Sequence, residues 1–169
     1  MNSEKGLKKL LELRKKALDG GGKERIEKQH QKGKSSARER LDELLDAGSF
    51  HEIGQFIMRR DDNSDPDAEK IYGDGVITGY GQINGQTVFF YAQDFTVNGG
   101  ALGEMQSTKI CRIMDLAYEN GAPIIGLIDS GGARIQEGVY SLGGYGEIFR
   151  RNALYSGIIP QISVILGPC

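Results

Sequence analysis

Leucines recur at helical spacing through the first fifty residues, which are otherwise mostly polar. The leucines of residues 5–18 share one face of a predicted helix: Leu7, Leu10, Leu11 and Leu18. Three consecutive glycines, 20–22, end this helix, and the charged segment 23–34 favours a second one. The pattern therefore predicts a helical arm with a largely polar surface at the start of the chain.

A third helix is predicted with a defined start. Ser36 and Glu39 have the spacing of a capping box, in which the serine accepts from the helix and the glutamate reaches back. The predicted buried stripe of this helix consists of Leu41, Leu44 and Leu45. Gly48 is the predicted end of the helix.

Beyond the arm, the apolar spacing becomes strand-like. Residues 59–70 are polar and include a proline, which predicts a surface loop between the two regions. Asn84-Gly85 stands between two β-rich runs and predicts a type I′ hairpin. A glycine-rich loop, 94–104, then leads into a helix with a predicted inner face of Ile110, Ile113, Met114 and Ala117.

The last third alternates strand and helix. We expect a buried strand at 124–128, a helix at about 145–156 and a second buried strand at 161–166. This alternation implies parallel strands. Because a buried strand followed by Gly-Pro normally leads into further structure, we expect an N-terminal portion of a longer chain. The predicted division is a basic helical arm, 1–60, and the first part of a domain, 61–169.

Charge is unevenly distributed, although the net charge is only −2. Residues 1–60 carry 15 basic and 10 acidic side chains, whereas residues 61–169 carry 6 basic and 13 acidic ones. A basic arm before an acidic body indicates an anionic ligand or partner for the arm, or simply a solvated helical face. Two cysteines and no signal-peptide pattern predict a reduced, cytoplasmic protein without a metal cluster.

An aliphatic run at 124–128 leads directly into residues with almost no side chains. Residues 129–133, Asp-Ser-Gly-Gly-Ala, are here called the small-residue loop. A strand that ends in such a loop exposes backbone amides, and the dipole of the following helix also favours an anion. The loop is therefore either an anion site or a tight strand-to-helix turn without a ligand.

Three chemistries use exposed amides of this kind. Nucleotide phosphate binding favours glycine motifs that the loop does not match. A serine nucleophile at Ser130 would need a G-x-S-x-G turn, but Ile128 occupies the first glycine position and both histidines lie in the arm. The third chemistry is an oxyanion hole, in which the amides of Gly132 and Ala133 donate to a thioester oxygen that gains negative charge.

Several long stretches together resemble a known family. They are KGKSSARERLDELLD, DGVITGYGQINGQTVFFYAQDFTVNGGALGE, GAPIIGLIDSGGARIQEGV and SGIIPQISVILGPC. They resemble the N-terminal half of acyl-CoA carboxyltransferase β subunits, a family that includes propionyl-CoA carboxylase β chains and methylmalonyl-CoA decarboxylase α chains. The resemblance extends over residues 23–169, and DSGGARIQEG with PQISVILGPC is its most specific part.

The resemblance implies a fold and a reaction. The implied fold is an α/β, crotonase-like spiral of ββα units, incomplete in this chain and preceded by the helical arm. The implied reaction moves CO₂ between carboxybiotin and the α-carbon of a short-chain acyl-CoA, with propionyl-CoA or methylmalonyl-CoA favoured, and needs no metal at this centre. The implied partners are acyl-CoA, a biotin carboxyl carrier, a biotin carboxylase or membrane decarboxylase subunits, and copies of the chain in a hexamer.

Site residues follow from the motif and from the charge pattern. The resemblance implies that Gly132 and Ala133 supply one of two oxyanion donors, with Ala133 favoured, and that the other donor lies just beyond the Gly-Pro-Cys segment. Gly131 lets the acyl group come close to the backbone. Basic residues surround the start of the capped helix, where charge and dipole favour the phosphates of CoA. These basic residues are Lys32, Lys34 and Arg38.

Alternatives to the carboxyltransferase remain open. The first is a non-catalytic fragment that binds CoA or assembles with partners. The second is a hydratase or isomerase on the same fold, which would use Glu104 and Glu137 as acid–base groups, although each also fits a helix-start acid. We expect no nucleic-acid partner, because residues 21–49 contain no Phe, Tyr or Trp to stack on a base.

Overall fold

The computed structural model describes residues 3–60 and 71–169. Their helices are α1 (Ser3–Leu18), α2 (Lys23–His30), α3 (Ala37–Leu44), α4 (Glu104–Glu119) and α5 (Val139–Tyr155). Their strands are β1 (His51–Ile53), β2 (Val76–Ile83), β3 (Gln86–Gln93), β4 (Ile124–Ile128) and β5 (Gln161–Ile165). Short 3-10 turns occupy Asn98–Gly100 and Ile135–Glu137. Most of the predicted surface loop at 59–70 lies outside the described residues.

The three helices of the arm form where the leucine spacing and the charged segment 23–34 predict them. The capping box is confirmed, because the Ser36 hydroxyl accepts from the Glu39 amide and the Ser36 amide donates to the Glu39 carboxylate. The predicted end at Gly48 is wrong. Helix α3 stops at Leu44, since Leu45 adopts an extended conformation that turns its side chain into the core, while Leu44 is only half-buried.

The five strands form one mixed sheet in the order β1-β2-β3-β4-β5. The first three strands are antiparallel, and β3-β4 and β4-β5 are parallel. The hairpin is confirmed: Asn84 and Gly85 join β2 to β3 with φ values of 51° and 76°, both in the left-handed region that a type I′ turn requires. Because β3 and β4 are parallel, their C-terminal ends lie side by side at the same end of the sheet.

Both faces of the sheet are covered, because side chains alternate along its central strands. Phe89 points to the face covered by α4 and α5, and Phe90 points to the face covered by α3. The α4 side chains on the first face are the predicted ones: Ile110, Ile113, Met114 and Ala117. The arm helix α3 contributes Ala37, Leu41 and Leu45 to the second face. The core therefore consists of two apolar layers with the sheet between them.

Two predictions about the last third are wrong. Helix α5 begins at Val139 rather than near residue 145, because Gly144, a poor helix former by itself, packs closely on α4: a Cβ there would lie 2.4 Å from the Ser107 hydroxyl. Strand β5 is not buried, since it is the last strand of the sheet and Ile162 and Ile165 are about half exposed.

The predicted domain division at residue 60 falls within this packed unit. Strand β1 lies before that residue and pairs with β2, and α3 covers one face of the sheet. The division into arm and domain stays a prediction. Within the part of the chain that the structure describes, every helix is too short or too polar to cross a membrane.

Candidate functional site

The small-residue loop is held in place by the segment just before α4. The Gly131 amide donates to the Gly99 carbonyl at 2.8 Å, and the Leu102 amide donates to the Gly132 carbonyl at 2.8 Å. The Arg134 amide donates back to the Leu102 carbonyl at 2.9 Å, which completes a short parallel bridge. Main-chain bonds therefore fix the loop at the C-terminal end of β4.

The three amides at the end of the loop differ in what they contact. The Gly131 amide is bonded to Gly99, as above, and the Gly132 amide donates to the Ser130 hydroxyl at 3.1 Å. The Ala133 amide donates to no acceptor within the described residues, and this residue is half-buried. Gly132 has a φ of 97°, which only glycine adopts without strain. The loop thus presents one uncommitted amide, at Ala133.

Ser130 is buried and has no histidine beside it. Within the described residues, the ring of His30 lies 2.9 Å from a Glu39 carboxylate oxygen, and His51 stacks on Tyr80 with ring centroids 4.9 Å apart. The Ser130 hydroxyl accepts from the Gly132 amide at 3.1 Å and also interacts with the Tyr145 hydroxyl. Ser130 therefore shapes the loop and lacks the partner that a serine nucleophile requires.

The three basic residues assigned to CoA phosphates are not gathered at one site. Lys34 pairs with the buried carboxylate of Asp129 at 2.9 Å, at the beginning of the small-residue loop. Arg38 holds Glu52 of β1 through two contacts of 2.9 and 3.1 Å. Lys32 is exposed. Of these three residues, only Lys34 therefore lies next to the loop, and Lys32 is the one most exposed to solvent.

A buried arginine beyond the loop organises the nearby carboxylates. Arg134 contacts Asp74 and Glu137 at 2.7 Å each, and Glu137 also accepts from the Glu104 amide at 2.6 Å. Burial raises the pKa of the Asp74 carboxyl, and the positive charge of Arg134 opposes that rise. Glu104 pairs with Arg60 at 2.6 Å. Glu104 and Glu137, the two carboxylates considered for acid–base chemistry, are therefore both held in ion pairs.

The residues that follow the small-residue loop in the chain, from Ile135 onwards, line an open groove of about 400 Å³. Its apolar wall includes Ile135 and Val139, which are 82% and 74% exposed, and its polar end contains the Arg60–Glu104 pair. Such a groove suits a small apolar group with a polar neighbour. Among the described residues, no three His, Cys, Asp or Glu side chains are grouped closely enough to hold a metal ion.

Sequence comparisons point to one family. The carboxyl transferase domain family matches residues 28–169. The carboxyltransferase subunit of propionyl-CoA carboxylase from Haloferax mediterranei is 57% identical over 169 residues, which are 100% of this chain and 33% of that subunit. Methylmalonyl-CoA decarboxylase subunit alpha from Propionigenium modestum is 55% identical over 166 residues, which are 96% of this chain and 32% of the subunit.

The structural comparison agrees. Transcarboxylase 12S, described as a hexamer that forms the core of a multienzyme and solved with methylmalonyl-coenzyme A and methylmalonic acid bound, superposes with a TM-score of 0.96 and 48% identity over 100% of this chain and 33% of its own. This match confirms the predicted crotonase-like class. The chain spans about a third of the length of these relatives. The family resemblance is confirmed, and the chain belongs to the carboxyl transferase domain family.

Proposed function

We propose that the chain is the N-terminal part of a biotin-dependent acyl-CoA carboxyltransferase that acts on a short-chain acyl-CoA, with propionyl-CoA or methylmalonyl-CoA favoured. The observation that carries this proposal is the uncommitted amide of Ala133 at the end of a strand, in a loop without bulky side chains. The names of the relatives support the choice of substrate. Because the chain spans a third of those relatives, we assign the activity to a subunit of their full length.

The proposed chemistry depends on negative charge at the thioester oxygen. When the α-carbon gains or loses a carboxyl group, an enolate forms and its oxygen needs a hydrogen-bond donor. Ala133 would supply that donor directly. Gly132 would act through its left-handed conformation, which turns the following amide outwards, and Gly131 would leave space for the acyl group. The same donor serves carboxylation and decarboxylation, since both pass through the enolate.

The CoA end of the substrate would meet the arm. Lys32 is exposed close to the start of α3, and Lys34 and Arg38 add positive charge nearby although each holds a carboxylate. Phosphates are favoured there by charge and by the dipole of α3. In this proposal Lys32 makes the direct phosphate contact, and Lys34 and Arg38 contribute mainly through their charge.

Biotin and partner proteins complete the proposal. Biotin, carried by a partner protein or domain, would supply or accept the carboxyl group. A biotin carboxylase or membrane decarboxylase subunits, a hexamer of this subunit and a cytoplasmic location agree with the family relationship. The described residues offer no grouped metal ligands, and the proposed chemistry uses none. A hydratase reaction is less well supported, because Glu104 and Glu137 are both engaged in ion pairs.

The direct test replaces the N–H group of Ala133 with an oxygen atom. In a subunit of family length that contains this chain, lactic acid is placed at position 133, so that an ester replaces the amide and the N–H donor is lost. Loss of one oxyanion donor costs about 10²- to 10³-fold in kcat, so we expect carboxyl exchange between biotin and propionyl-CoA to fall by that factor.

A matched ester separates this effect from general damage to the backbone. The control carries the hydroxy acid analogue of isoleucine at position 135, two residues beyond the loop, and should retain most of its exchange rate. Equal rates for the two esters would refute the role of Ala133. Binding of CoA without any exchange in the unmodified subunit would favour the alternative of a non-catalytic binding or assembly function.

A further inference from the structure

A single buried carboxylate stands at the beginning of the small-residue loop and faces two cations from the arm. The Asp129 side chain is only 1% exposed. Its oxygens lie 2.9 and 3.1 Å from the Lys34 ammonium, and one of them lies 2.9 Å from the Arg40 guanidinium. A buried carboxylate is stable only when it is compensated in this way, and removing one partner leaves an uncompensated charge. The arm is therefore tied electrostatically to the loop.

The segment that follows β5 closes over the same carboxylate. A Cβ atom at Gly167 would lie 1.9 Å from an Asp129 oxygen and 2.6 Å from the Lys34 nitrogen, so that only a residue without a side chain fits. The Ser130 amide donates to the Pro168 carbonyl at 2.8 Å. Asp129 is thus the point where three separate stretches of chain meet: the arm, the small-residue loop and the segment after β5.

We propose that Asp129, held by Lys34 and Arg40, is a positioning centre for the reaction. This inference rests on the proposed function, since it concerns the amide of Ala133 four residues along the same loop. The ion pairs would fix the direction of that amide against the arm and against the segment after β5, without touching the thioester. A misplacement of about 1 Å in such a site costs as much as 10²-fold in rate.

The expected signature is a loss of kcat without a loss of substrate affinity. The bond from Ala133 strengthens only as the enolate forms, so a displaced amide weakens the transition state more than the ground state. A residue that merely supports folding would lower the amount of active protein and leave kcat per folded subunit unchanged. A residue that binds CoA would instead raise the Kd.

The test uses a subunit of family length and three variants. Arg40→Met should lower kcat about 10- to 100-fold, with the Kd for propionyl-CoA changed less than about threefold. Arg40→Lys, which keeps the charge, should recover most of the rate. Lys28→Met, which removes an exposed arm lysine paired with Glu24, is the matched control and should keep the full rate.

A second route avoids dependence on one variant that fails to fold. Gly167→Ala leaves every charge in place but pushes a methyl group into the Asp129 carboxylate, so it should also lower kcat at nearly constant Kd. If Arg40→Met folds and keeps the kcat of the native subunit, the proposal is overturned. If Arg40→Met does not fold, an unchanged kcat per folded subunit in Gly167→Ala overturns it. A rise in Kd equal to the fall in activity overturns it as well.

These outcomes can be told apart from failure of the proposed function. If the ester at position 133 leaves carboxyl exchange intact, the oxyanion role of Ala133 is wrong and the positioning role falls with it. If the ester lowers exchange but Arg40→Met and Gly167→Ala do not, only the positioning role is wrong.

Discussion

At the scale of single residues, glycines mark the places where two stretches of chain approach most closely. A Cβ at Gly21 would lie 2.1 Å from the Thr96 carbonyl oxygen, and the Gly21 amide donates to the Thr96 hydroxyl at 3.1 Å. The triple glycine that ends α1 is thus also the contact between the arm and the loop before α4. By contrast, Gly6 lies inside α1 and a Cβ there would meet nothing within 4 Å.

We therefore predict that a glycine-to-alanine substitution has opposite effects on stability at these two positions. Gly21→Ala should lower the free energy of unfolding by about 1–3 kcal/mol, because a methyl group cannot fit against the Thr96 carbonyl. Gly6→Ala should raise the stability of α1 by about 0.5–1 kcal/mol, since alanine favours the helix. Urea unfolding monitored by circular dichroism measures the first, and amide exchange within α1 measures the second. A stable Gly21→Ala protein would show that the arm is not packed on the loop.

At the scale of elements, a histidine–glutamate pair joins α2 to α3. His30 is the last residue of α2, and its ring lies 2.9 Å from the carboxylate of Glu39, which also completes the capping box at the start of α3. The pair raises the pKa of His30, and together with the Ser36 amide it lowers the pKa of Glu39 to about 2. The turn that contains Lys34 is thus closed by a titratable contact.

This contact predicts a window of pH in which the turn is most stable. The His30 contribution is complete below its ordinary pKa of 6.5 and is lost as the pH rises through the raised value. The Glu39 contribution is complete above 4.5 and is lost as the pH falls towards 2. The difference in unfolding free energy between the native protein and Glu39→Gln should therefore be largest between about pH 4.5 and 6.5.

Histidine titration by NMR checks the same contact independently. The pKa of His30 should lie above 6.5 in the native protein and should fall in Glu39→Gln, because the carboxylate that favours its protonated form is gone. An identical titration curve in the two proteins would contradict the pairing.

At the scale of the whole molecule, the uneven charge holds arm and body together. Basic residues of the first sixty pair with acids of the remainder, as in Lys34 and Arg40 with Asp129 and in Arg60 with Glu104. Part of the basic excess that suggests an anionic ligand is therefore used within the protein. Lys32 remains exposed, and it is the arm residue we assign to direct contact with phosphate.

We predict that Lys32→Ala weakens CoA binding about two- to fivefold at low salt, the effect of one exposed charge near a helix N-terminus. The difference should shrink as salt screens the contact. Isothermal titration of CoA at two salt concentrations measures it, with Lys28→Ala as the matched control on α2. Equal affinities for the two variants at low salt would place the CoA phosphates elsewhere.

Local signals in the sequence were sufficient wherever a few neighbouring residues decide the conformation. The capping box at Ser36, the hairpin at Asn84-Gly85 and the inner face of α4 all depend on contacts or dihedral angles within about seven residues. The sequence predicts too late a start for α5, because Gly144 is a poor helix former by itself and is favoured only by its contact with Ser107.

Buried charge was the least predictable feature. Lys109 lies on α4, where its charge suggests an exposed position, yet it is 3% exposed. It donates to the carbonyls of Gly73 and Val76, and burial lowers its pKa to about 8. The charge pattern likewise predicts Arg38, and not Arg40, as a site residue. Nothing local distinguishes the two arginines, because their partners, Asp129 and Glu52, are 89 and 14 residues away.

The sequence by itself determined most of the helices and strands, the family and the small-residue loop as the candidate site, because these depend on spacing and on short motifs. Only the tertiary structure decided that the Ala133 amide is uncommitted while the Gly132 amide is bonded, and that Asp129 joins the arm to the loop. Hydrogen bonds and ion pairs between distant residues are selected by packing, and spacing along a chain does not encode which partner is reached.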